Sequence, residues 1–173
     1  SQSCAEAGHI IREQWSKIPG TLISAIPVNS TPTLTETLQA FEARRNVGDN
    51  YGARVRGFLC VPQSGKYTFW IASNDKSELW LSTDEHSSSK AKIAYVSAYT
   101  DYRQWSKYPS QKSARIHLVA GRRYYVEALH KEGVGADHLS VGWQLPDGKT
   151  MERPIPGSRL LPFNVTGNRP PWV

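Results

Sequence analysis

From Arg54 onward the chain is written in short runs of alternating apolar and polar residues, each closed by turn residues. The run "RVRGFLCV" ends at the Pro/Ser/Gly turn "PQSGK". In "KYTFWIAS", Tyr67, Phe69 and Ile71 fall on one face and Thr68, Trp70 and Ala72 on the other, which is the period of a strand. "HLSVGWQL" repeats the pattern, setting Leu139, Val141, Trp143 and Leu145 against Ser140, Gly142 and Gln144 before the turn "PDGK". "SELWLS" and "AKIAYVS" predict two more strands. "ARIHLVA", "GR" and "RYYVEALH" predict a hairpin in which Val126 and Ala128 alternate with Glu127. Short strands separated by turns imply an all-β fold, an antiparallel sandwich or barrel.

Residues 1–53 are weakly patterned. Leu34, Leu38, Phe41 and Arg45 stand at near-helical spacing and predict a short helix, against which the surrounding Thr and Pro pull. A length of 173 residues suits one domain with a real core. The expected division is a domain over 1–163 and an extended linker over 164–173, "NVTGNRPPWV".

A net charge of +6 raises the question of nucleic acid. The basic residues are dispersed, however, and cluster only as the pairs Arg44-Arg45 and Arg122-Arg123. No RNP pattern, zinc-finger spacing or basic helix is present, so nucleic acid is not an expected partner. No apolar run approaches the roughly 20 residues of a membrane span, so membrane insertion is not expected. Cys4 and Cys60 are expected to pair as one disulfide, which fits an oxidising compartment. Together with the sequons at Asn29 and Asn164 they favour an extracellular or cell-surface, secreted setting.

Catalytic signatures are absent: there is no GxSxG elbow, HExxH, P-loop or GxGxxG. His130 and His138 bracket one loop, a weak hint of a metal site. Asp75, Glu132 and Asp137 are the carboxylates a glycosidase would have to pair, yet nothing in the sequence marks any as a raised-pKa acid. The expectation is a non-enzymatic protein.

One turn remains unexplained. In "WIASNDKSELWLSTD" the expected hairpin sets Asn74, Asp75 and Lys76 at its tip, either as a solvated turn or as half of an ion and ligand site. With "NVGDNYGARVRGFLCVPQSGKYTFW" before it and "LVAGRRYYVEALHKEGVGADHLSVGWQLPDG" after it, the chain resembles the PA14 domain, the module named after the anthrax protective antigen. The markers are the G-x-Y-x-F strand at Gly65–Phe69, the polar turn with "LWL", the "AGRRYYVEA" segment and "VGW", within a similarity from about Ile11 to Pro162.

The resemblance implies a β-sandwich with long loops at one end, usually appended to another activity in a larger secreted protein. In the sugar-binding branch, that of yeast flocculins and adhesins, two adjacent Asp residues joined by a cis peptide hold Ca²⁺, and sugar hydroxyls complete its coordination. Here Asn74 replaces the first Asp, and the second loop corresponds to "KEGVGADH", Lys131 to His138. The metal ligands implied are Asn74, Asp75, Glu132 and Asp137, with Lys76, Lys131, Gly133 and His138 on the ligand side. The Asn replacement removes a charge, and Lys76 beside it weakens a cation site further. A purely structural turn is the competing reading.

The segment "YVSAYTDYRQWSKYPSQK" interleaves Tyr95, Tyr99, Tyr102, Trp105 and Tyr108 with Arg103, Lys107 and Lys112. Such rings stack on sugars or bases, but the irregular spacing favours Tyr95, Tyr99 and Trp105 pinning a long connection onto the sandwich. Trp80 and Trp143 are expected in the core. The function expected is thus a calcium-dependent, carbohydrate-binding, adhesin- or lectin-like module with a glycan or polysaccharide as partner. The alternative is a structural or protein-interaction module that docks neighbouring domains.

Overall fold

The computed structural model describes residues 4–164. Its strands are β1 (Ile10–Trp15), β2 (Leu34–Leu38), β3 (Tyr51–Cys60), β4 (Gly65–Asn74), β5 (Lys76–Leu81), β6 (Ala91–Val96), β7 (Ile116–Leu118), β8 (Arg123–Glu132), β9 (His138–Gln144), β10 (Met151–Glu152) and β11 (Leu160–Pro162). No α-helix occurs among the described residues, only short 3-10 turns. The larger sheet runs β2-β1-β3-β8-β5-β6, with β11 beside β1 on β3, and the smaller runs β10-β9-β4-β7. Every pairing is antiparallel. The fold is a β-sandwich, not a closed barrel.

The alternating faces predicted for β4 and β9 build the core. Tyr67, Phe69, Ile71, Leu139, Val141 and Trp143 are fully buried and meet Val55, Leu79, Val126 and Ala128 of the larger sheet. Trp143 is the hub, with the Tyr67 ring at 4.7 Å and the Phe69 ring at 5.8 Å. Trp80 points to the other face of its sheet, half-buried beneath the Lys90 ammonium. Gly57 is required where β11 crosses β3, since a Cβ there would come within 2.2 Å of Leu161 O. The disulfide Cys4–Cys60 ties the N-terminus to the end of β3. The tail beyond Asn164, expected as a linker, lies outside the described residues.

Three local expectations are corrected. Leu34–Leu38 is a strand rather than a helix, paired with β1 from Ile10↔Leu38 to Gln14↔Leu34. The segments around Ile116 and Arg123 do not form a hairpin, because β7 pairs with β4 in one sheet and β8 with β3 and β5 in the other. Likewise β4 and β5 belong to different sheets, so the Asn74–Asp75 turn is a crossing between layers.

Candidate functional site

Register alone brings two such crossings together. The last residue of β4 pairs with the first of β9, Asn74↔His138, while Lys76 at the start of β5 pairs with Lys131 near the end of β8. The turn at Asp75 and the loop 133–137 therefore leave the same pair of sheet edges side by side. The Asn74–Asp75 peptide is cis. Asp75 Oδ2 accepts the Gly133 backbone N–H at 2.9 Å, which locks turn to loop.

A third loop closes the group. Asn46 N–H donates to Asp137 O at 2.9 Å, Val47 N–H to Asp137 Oδ2 at 3.1 Å, and Asn50 N–H to Gly133 O at 2.6 Å. Asp49 Oδ1 accepts the Gly135 N–H at 3.2 Å. Asn46 and Asn50 adopt φ of 54° and 53°, a left-handed conformation that Asn tolerates better than most residues. The sequence reading missed this loop, although its run "NVGDN" carries an Asn/Gly/Asp turn composition.

Four carboxylates, of Asp49, Asp75, Glu132 and Asp137, are thus gathered at one end. Glu132 is fully buried, and no donor reaches either of its oxygens. Burial first, then the Asp75 carboxylate, and more weakly those of Asp137 and Asp49, push its pKa up to about 9. Asp137 spends Oδ2 on Val47 and on the Tyr51 hydroxyl, while Oδ1 is orphaned. Burial, and then Asp137, hold the Tyr51 phenol above its usual range.

The polar character continues inward. Arg12 is fully buried, reaches Glu36 through Nη1 at 3.3 Å and lies 5.4 Å from the Tyr51 ring, leaving Nε and Nη2 without partners. His130 donates Nε2–H to Asn74 O at 2.7 Å, a carbonyl being only an acceptor, and burial pushes its pKa down to about 4. His138 does the same to Thr100 O at 2.8 Å and is lowered, chiefly by burial. Of the nine orphaned buried side-chain atoms among the described residues, all but Ser82 Oγ belong to Arg12, Gln14, His130, Glu132, Asp137 and His138. Folded chains satisfy most buried polar groups, so this concentration marks the unusual end of the molecule.

Of the residues expected at the site, Asn74, Asp75, Glu132, Gly133 and Asp137 come together. Lys131 does not face a ligand. It is fully buried, and Nζ donates to Ile18 O at 2.6 Å, Gly20 O at 2.7 Å and Glu132 O at 2.9 Å. His138 is turned onto Thr100, and Lys76 is half-buried beside the turn. Among the described residues no three His, Cys, Asp or Glu side chains converge as a ready metal cluster. The oxygens of Asn74, Asp75 and Glu132 suit a hard cation such as Ca²⁺.

The aromatic connection departs from expectation. Tyr95 and Tyr99 do not pin it, since they are 43% and 49% exposed. Its anchors are Gln111, whose Nε2 donates to Ile71 O at 3.0 Å, and Ser113, whose Oγ accepts the Phe69 N–H at 2.9 Å.

The comparisons with known proteins bear on the family and the fold. The chain is 42% identical over 100 residues to N-acetyl-beta-glucosaminyl-glycoprotein 4-beta-N-acetylgalactosaminyltransferase 1 of Mus musculus, a match spanning 55% of this chain and 10% of that protein. It is 37% identical over 94 residues to Fibrocystin-L of Homo sapiens, covering 54% of this chain and 2% of that one. The chain therefore spans only a small part of these relatives. Among solved structures, a PA14 sugar-binding domain from an RTX adhesin superposes with a TM-score of 0.65 at 14% identity, over 89% of this chain and 97% of that one. The Epithelial Adhesin 9 A domain of Candida glabrata, in complex with Galb1-4GlcNAc, gives 0.64 at 11% identity, over 94% and 92%. The PA14 domain family model matches residues 25–154. With that match spanning both crossings and the sandwich between them, the chain belongs to the PA14 domain family.

Proposed function

We propose that this domain is a non-catalytic, secreted carbohydrate-binding module whose ligand is held through Ca²⁺ at the Asp75 turn. The observation that carries the reading is Glu132: a fully buried carboxyl with no donor on either oxygen, pressed by the Asp75 carboxylate. Such a group must keep a proton or meet a cation, because an unpaired buried charge is too costly. Asp75 and Glu132 would supply the charge. Asn74 and backbone carbonyls would supply neutral oxygens, which the absence of a three-carboxylate cluster among the described residues requires.

When bound, the cation supplies open coordination positions for a pair of sugar hydroxyls. The chain's own residues fix the platform beneath it. Gly133 N–H holds Asp75, Val47 N–H and the Tyr51 hydroxyl hold Asp137, and Lys131 fastens the neighbouring loop. Affinity for one monosaccharide would be weak, since so small a contact buries little surface, and useful adhesion would come from multivalency. Binding to a printed glycan array, read in Ca²⁺ and again in excess chelator, tests the reading. Chelator-sensitive binding is expected, and binding indifferent to chelator contradicts it.

A second reading has its own support. The matched relatives are far longer than this chain, with 10% and 2% of their lengths covered. A module that only docks neighbouring domains would fit that context and would bind no glycan in either condition.

A further inference from the structure

The connection between β6 and β7 is fastened to the tip at two successive residues. Tyr99 forms an antiparallel bridge with Asn74, and the next residue secures it: Thr100 N–H donates to Ser73 O at 2.7 Å, while Thr100 O accepts His138 Nε2–H at 2.8 Å. Directly opposed residues of an antiparallel pair project to the same face with Cβ atoms about 5 Å apart. The Tyr99 side chain therefore stands beside that of Asn74, with 49% of the residue exposed.

The segment that carries it is rigidly tied. Tyr102 Oη donates to Glu42 at 3.0 Å, Arg103 makes two bonds of 2.8 Å to the same carboxylate, and Gln111 Nε2 donates to Gln104 O at 2.7 Å. An exposed ring on so constrained a backbone contributes little to the core. It offers instead a large contact surface at low entropic cost.

Two cations frame the ring and its neighbour. Lys107 Nζ lies 4.1 Å from the Tyr99 ring centroid and donates to Tyr99 O at 3.1 Å. The Arg45 guanidinium lies 4.0 Å from the Tyr102 centroid, and Tyr102 packs edge-on against His138 at 5.9 Å. Among the described residues neither Lys107 nor Arg45 is in an ion pair, whereas Arg103, Arg54 and Arg56 all are. The acidic tip is thus bordered, beside Asn74, by two cations that lie over aromatic rings.

We infer that Tyr99, Lys107 and Arg45 form the specificity wall of the sugar site and select a pyranose bearing an acidic substituent, a carboxylate or a sulfate. The inference rests on the calcium-dependent carbohydrate reading above. The sugar ring packs on the exposed part of Tyr99, its hydroxyls reach the cation beside Asn74–Asp75, and its acidic group meets Lys107 and Arg45.

The test is a printed array that pairs neutral glycans with their sulfated and uronate counterparts, read in Ca²⁺ and in chelator. The parent is expected to bind acidic members about fivefold more tightly than neutral ones, the upper range for a solvent-exposed ion pair, with the preference fading as salt rises. Lys107→Gln and Arg45→Gln should each weaken binding of the acidic members more than that of the neutral ones, and so narrow the preference. Tyr99→Ala should weaken both kinds about fivefold, the scale of one aromatic contact. A response to sulfates alone or to uronates alone supports the inference and identifies the acid. Chelator-sensitive binding without acidic preference, or a preference that survives both charge variants, overturns this inference and leaves the calcium reading standing. Binding of no glycan in Ca²⁺ overturns both.

Discussion

Asp75 Oδ2 accepts the backbone N–H of Gly133 at 2.9 Å, so the carboxylate at one sheet crossing is the clamp on the other. Clamp and charge can be separated by substitution. Asp75→Asn keeps an oxygen able to accept that N–H and removes the charge, whereas Asp75→Ala removes both. Both variants should lose chelator-sensitive glycan binding with unchanged β-sheet circular dichroism. Only Asp75→Ala should also lose stability, by about 1 kcal/mol for the orphaned contact, measured by urea denaturation.

Lys131 is a structural cation. Lys131→Met leaves the carbonyls of Ile18, Gly20 and Glu132 without their shared donor. A loss of about 3 kcal/mol is expected, read as a lower urea midpoint. A variant as stable as the parent would mean that the ammonium contributes nothing to holding the β1–β2 connection.

The acid and alkaline limbs of stability should have different owners. His130 has its folded pKa pushed down to about 4, against an ordinary 6.5. The unfolded chain takes up that proton first, so stability falls as pH drops from about 6.5 to about 4, by about 3 kcal/mol in total. Glu132 runs the other way. Its folded pKa is raised from 4.5 to about 9, so in chelator its contribution is full below pH 4.5 and is lost as pH climbs towards 9. In thermal melts across the pH range, His130→Gln should make the acid limb shallower, with His138, whose pKa burial also lowers, supplying the remainder. Glu132→Gln should flatten the alkaline limb.

The Cys4–Cys60 bridge closes a sequence separation of 56 residues. In the chain-entropy account this contributes about 4 kcal/mol. The double variant Cys4→Ser/Cys60→Ser should unfold at a correspondingly lower denaturant concentration, and the parent should match it once reduced.

What could be read from the sequence follows the reach of each interaction. Tyr67, Phe69 and Ile71 of β4, and Leu139, Val141 and Trp143 of β9, announced themselves because one buried face imposes a period of two. β1 gave no such sign, since all six residues are buried, the outward Glu13 being covered by Arg54 and Arg56. Leu34–Leu38 read as helical from its spacing, and only its pairing with Ile10–Gln14 makes it a strand. A hairpin and a sheet crossing share the same local grammar, so the separation of β7 from β8 is decided by distant partners. That the turn at Asn74 and Asp75 lies against the loop after Glu132 was implied by the family resemblance. The inward turn of Lys131 was not, because it depends on carbonyls more than a hundred positions away.

Under the calcium reading, Asp75 and Glu132 hold a cation between the turn and the facing loop. Calorimetric titration of Ca²⁺ into chelator-stripped protein, run in parallel on the parent, Asp75→Asn and Glu132→Gln, tests it most directly. The parent should bind one ion per domain, and both variants should lose that signal while remaining folded. A parent that takes up no Ca²⁺, or variants that bind it as the parent does, would contradict the account.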